Sequence, residues 1–87
     1  MALTADALDL IRTLLEADGS AAERIANVRK AFPGISLTRC DAGDMDTEMP
    51  VVETTDFDVY LIDTSEHCTR ITTRLEAATG LVVAEKH

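Results

Sequence analysis

Four carboxylates fall within the eight residues Asp41-Ala-Gly-Asp-Met-Asp-Thr-Glu48. Cys40 stands just ahead of this run, and the pair His67-Cys68 follows it. Clustered carboxylates are oxygen donors for hard cations, so a Ca²⁺ or Mg²⁺ site built from Asp41, Asp44, Asp46 and Glu48 is the first chemistry to weigh. The spacing argues against an EF-hand. That loop places acids at alternate positions ahead of its glycine and a glutamate at the end, whereas here Gly43 falls between the first two acids and Pro50 interrupts. A hydrated acidic loop is the ordinary alternative.

Cys40, His67 and Cys68 raise a soft-metal or redox site. Sequence neighbours point to opposite faces of a strand, and on a helix they sit about 100° apart, so His67 and Cys68 cannot easily share one ion. No Cys-x-x-Cys occurs, and four ligands for structural zinc are lacking. Cys40 and Cys68 could meet across paired strands, with free buried cysteine as the commoner case. Nucleophilic catalysis needs a base and an oxyanion hole converging on Cys68 or a serine, and no such pattern is legible. The four glycines (Gly19, Gly34, Gly43, Gly80) are scattered and form no phosphate loop. These observations predict a non-enzymatic protein with no cofactor and no resident metal.

Charge is the more informative feature. The chain of 87 residues has a net charge of −8. Residues 1–39 carry five acids and five bases, whereas residues 40–69 carry nine acids (Asp41, Asp44, Asp46, Glu48, Glu53, Asp56, Asp58, Asp63, Glu66) and no Lys or Arg. Such a field repels phosphate backbones and anionic lipid, which excludes nucleic acid and membrane surfaces as partners of the isolated chain. It steers a basic protein surface instead. Asp41, Asp44, Asp46, Glu48, Asp56 and Asp58 would supply the field, with Met45 and Met49 as adaptable apolar contacts.

The elements that position these residues follow from periodicity. Ala7, Leu8, Ile11, Leu14 and Leu15 form one stripe of a helix over residues 4–17, with Thr4 as N-cap. Ser20-Ala-Ala-Glu23 matches a capping box and opens a second helix over residues 21–32, stopped by Pro33-Gly34. The short connection makes a helical hairpin. The period then changes. Residues 35–40 alternate as a half-buried strand, and residues 41–50 read as an acidic loop. Val51–Glu53 is a short strand, Phe57–Ile62 the strongest one, and Leu81–Ala84 an apolar run of strand length. On Phe57–Ile62, Phe57, Val59 and Leu61 face one way, Asp58 and Tyr60 the other. Residues 64–79 fit either a capped helix or a hairpin with a returning strand at residues 67–73. Five threonines favour the hairpin.

The elements "VYLIDTSEHCTRIT", "ATGLVVA" and "LTRCDAGDM" resemble a family of small uncharacterised proteobacterial proteins found near nitrogen-fixation genes. The resemblance covers residues 35–84. It implies a genomic association, without an activity or a catalytic residue.

The sequence therefore predicts one α+β domain over residues 1–87. A helical hairpin (residues 1–34) packs on a three- to four-stranded, mainly antiparallel sheet (residues 35–87). Only three residues are aromatic, so the core is aliphatic and small, and a second copy in a homodimer would help it. The lack of a signal segment or apolar span predicts a cytoplasmic location. The expected function is docking on a basic protein partner. The rival is metal binding or redox sensing through the acidic loop or Cys40 and Cys68.

Overall fold

A computed structural model describes residues 3–41, 43, 49–64 and 70–86 of the chain. Helix α1 spans Ala5–Glu16, and its N-cap Thr4 accepts a hydrogen bond from the Ala7 amide at 3.1 Å. Helix α2 spans Ala21–Ala31, and Ser20 accepts from the Glu23 amide at 3.1 Å. Both caps satisfy amides that have no partner inside the helix. Gly19, in the connection, has φ 128°, a conformation that L side chains rarely adopt.

Among the described residues five strands follow: β1 (Ser36–Asp41), β2 (Val52–Glu53), β3 (Phe57–Asp63), β4 (Arg70–Thr72) and β5 (Gly80–Glu85). Their order is β1-β5-β3-β2, and β4 also pairs with β3. The fold is α+β as expected, with one strand more than the sequence pattern suggests. β2 and β4 divide a single margin of β3, one pairing with its first half and the other with its second. Both fall inside expected segments, residues 51–53 and the return strand at 67–73, and both are short. Three pairings are antiparallel, while β1 runs parallel to β5. The sheet is therefore mixed.

The described part of residues 64–79, Thr64 and residues 70–79, fits the hairpin rather than the helix. β4 returns antiparallel to β3, and Leu75–Ala77 is a single 3₁₀ turn leading to β5. Thr79 fixes this return: its amide donates to Ile62 O at 2.9 Å, and its hydroxyl accepts from the Thr64 amide at 2.9 Å. The first part of the expected return strand, residues 67–69, lies outside the described residues.

The helices cover one face of the sheet. Phe57, Val59, Leu61, Leu81 and Val83 pack there with Ile11, Leu15, Ile25 and Val28. The alternation expected for β3 holds, since Phe57, Val59 and Leu61 share this side. The other face is not simply polar. Tyr60, Ile62, Val82 and Ala84 are buried in a second, smaller cluster, with Cys40 and Ile71 half-buried against it. β5 is thus apolar on both sides, which explains its uninterrupted apolar run. No helix among the described residues is long and apolar enough to cross a membrane.

Candidate functional site

Strand register gathers acids at one end of the sheet. Asp41, the last residue of β1, is the Cα partner of Glu85, and Glu85 is in turn the partner of Phe57. Asp56 and Asp58 flank Phe57, and Glu53 of β2 lies opposite Asp58. Thus Asp41 lies at the same end of the sheet as Asp56 and Asp58, with β5 between them.

Three bases arrive at the same end from outside the acidic third. Arg24 of α2 donates to the Asp56 carboxylate at 3.0 Å and to Leu15 O at 2.9 Å. Its guanidinium carbon stands 5.1 Å from the centroid of the Phe57 ring, a cation–π distance. Its Nε is buried without an acceptor among the described residues. Arg24 therefore latches three elements together: the end of α1, the start of α2 and the β2–β3 turn.

Lys86 reaches Asp58 Oδ1 at 3.1 Å and donates to Thr54 O at 2.8 Å. Asp58 Oδ1 has no well-aligned hydrogen bond, so its contact with Lys86 is ionic. That is sufficient for attraction, because Coulomb energy depends on distance rather than donor angle. Arg39 pairs with Glu85 on the helix-covered side. Register also sets Arg70 opposite Asp63.

These pairs change the meaning of the acidic segment. Asp56 and Asp58, expected to supply an open field, each meet a base. No local spacing announces this, since Asp56 lies 32 residues from Arg24. The Asp41 side chain accepts from the Gly43 amide at 3.0 Å, an Asx-type turn at the head of the acidic run. Met49 is 81% exposed. Asp44, Met45, Asp46 and Glu48 lie outside the described residues, as do His67 and Cys68. Cys40 is half-buried against the second apolar cluster. Among the described residues no group of three or more His, Cys, Asp or Glu is placed to hold a metal ion.

A cleft of about 210 Å³ opens beside the Arg24 latch, lined by Leu15, Glu16, Arg24, Thr54, Thr55 and Asp56. Its one cation already serves Leu15 O and Asp56. On the β4–β5 connection, Glu76 is held below the usual carboxylate range, first by a backbone hydrogen bond and then by Arg74.

Residues 11–86 match the model of a family of unknown function (DUF6129). No curated protein and no solved structure matches the chain.

Proposed function

For a chain that belongs to this family of unknown function, we propose a non-enzymatic accessory role: the acidic end of the sheet docks on a basic surface of a protein partner. The observation that carries this reading is the uneven distribution of bases. Arg24 and Lys86 reach Asp56 and Asp58, and Arg70 stands opposite Asp63. The sequence from 41 to 53 holds Asp41, Asp44, Asp46, Glu48 and Glu53 with no Lys or Arg. The attractive field therefore centres on the residues that connect β1 and β2 in sequence, with Asp56 and Asp58 as supports of the fold. Single-sign charge of this kind raises the rate of encounter and fixes orientation more than it adds final affinity. Met49 adds apolar contact that adapts to the partner. The resemblance to proteins found near nitrogen-fixation genes is what supports placing the partner in that machinery.

The test is a pull-down from lysate at graded salt with the wild type and with Asp41→Asn, Asp44→Asn, Asp46→Asn and Glu48→Gln combined. Capture of a basic protein is expected at low salt, weakening as salt rises and absent with the amide variant. Asp56→Asn with Asp58→Asn should instead lower stability and leave capture largely intact. Capture that ignores both salt and the amide replacement refutes the reading. Micromolar binding of Ca²⁺, Mg²⁺ or Zn²⁺ in calorimetry would favour the metal-binding rival.

A further inference from the structure

β1 ends its side of the sheet, and among the described residues no strand lies beyond it. Ser36, Thr38, Arg39 and Asp41 are exposed along it, and Leu37 and Cys40 half-buried. The opposite margin is divided between two short strands and offers no long ladder. Native edges are commonly guarded by proline, a bulge or charged side chains. Ser-Leu-Thr-Arg-Cys-Asp has no proline and no bulge, and of its two charged residues Arg39 is engaged with Glu85 of the same chain and Asp41 stands at the strand's end.

Which backbone groups face outward follows from the ladder. The Lys86 amide donates to Asp56 O, so the even-numbered residues of β5 bond to β3 and the odd-numbered ones to β1. With Leu37 opposite Leu81 in a parallel pair, Ser36 and Thr38 bond to β5, and Leu37 and Arg39 turn their N–H and C=O groups away from it. No backbone partner for those outward groups occurs among the described residues.

We propose that this edge is a self-association surface, on which two copies pair β1 with β1 in antiparallel order about a two-fold axis at Thr38. Charge selects the second copy and its direction. Exposed Arg29 and Lys30 in the last turn of α2 shortly precede β1 in the chain, and the acidic run begins where β1 ends. Antiparallel pairing sets the basic end of each copy against the acidic end of the other, whereas parallel pairing sets like ends together. Paired residues must share a face, which restricts the registers. Centring on Arg39 would oppose two guanidiniums. Centring on Thr38 sets Leu37 against the partner's Arg39, so the outward backbone groups of each meet, and places two threonines together at the axis.

One six-residue strand makes a small interface, so the dimer is weak. Two chains of −8 also repel overall, and salt relieves that repulsion. The salt response is therefore opposite to that of docking on a basic partner, and either idea can fail alone.

Sedimentation of the full chain over a wide concentration range tests the proposal. The dimer fraction should rise with concentration and be several-fold larger at about 0.15 M salt than at about 0.01 M. Thr38→Lys, which opposes two ammonium groups at the axis, should remain monomeric with an unchanged melting temperature. In a background of Cys40→Ser and Cys68→Ser, Thr38→Cys should form a disulfide dimer on mild oxidation, because threonines at the axis are a close, non-hydrogen-bonded pair. Thr13→Cys, on the exposed side of α1, should not. A wild type that stays monomeric throughout overturns the proposal, as does a dimer that Thr38→Lys leaves intact or equal cross-linking through Thr13→Cys.

Discussion

Replacing Arg24 by Met keeps most of the aliphatic stem and removes the guanidinium, so its cost isolates the polar part of the latch. The bond to Leu15 O comes from a charged donor and supports a carbonyl at the helix end. The adjoining cleft lets water replace it in part, which puts the loss near 1 kcal/mol, below the usual range for a charged donor. The contact over the fully buried Phe57 ring adds about 0.5–1 kcal/mol. Asp56 is 53% exposed, so solvent screening holds the ion pair to about 0.5 kcal/mol or less. The expected loss is about 2 kcal/mol. For a chain of 87 residues it lowers the melting temperature by about 10 °C. Urea denaturation with a constant m-value, paired with thermal melting, measures it. Asp56→Asn should cost only about 0.5 kcal/mol, because it leaves the carbonyl and ring contacts in place. If Arg24→Met falls within about 0.5 kcal/mol of wild type, the latch is ornamental and the reasoning fails. It fails differently if Asp56→Asn costs as much as Arg24→Met, because the exposed ion pair would then dominate.

A Cβ at Gly80 would clash with Ser36 Oγ and stand 3.0 Å from Ser36 O, so Gly80→Ala should destabilise by about 2 kcal/mol in urea. Adding Ser36→Ala should recover only part of this, because the backbone contact remains. Thr54→Val keeps shape but removes the hydroxyl that accepts from the Phe57 amide at 3.0 Å, and a loss of about 1–3 kcal/mol is expected by denaturant titration. Gly19→Ala forces a side chain into φ 128° and against Glu23 Oε2. It should cost about 1 kcal/mol or more by thermal melting, with β-sheet circular dichroism unchanged.

Much of the architecture was legible because it is local. Thr4 and Ser20 announce the helix starts through short-range hydrogen bonds, and the apolar stripes of α1 and α2 record which sides are buried. β3 declares itself by alternation, and the threonines of residues 64–79 resist a helix through their restricted χ1. The parallel pairing of β1 with β5 was not legible. Alternation tells which face of a strand is buried and says nothing of its neighbour. Nor was the burial of Tyr60, since the outward face of one strand reads as solvent-facing unless apolar side chains of its neighbours join it.

The candidate site divides along the same line. By itself the sequence determined that nine acids lie together without a base, because charge composition is a property of the chain. Tertiary structure decided that Asp56 and Asp58 among them meet bases. The guanidinium of Arg24 and the ammonium of Lys86 reach Asp56 and Asp58 only after the helical hairpin and β5 have closed on β3. Coulomb attraction depends on distance in space, and sequence separation does not encode it.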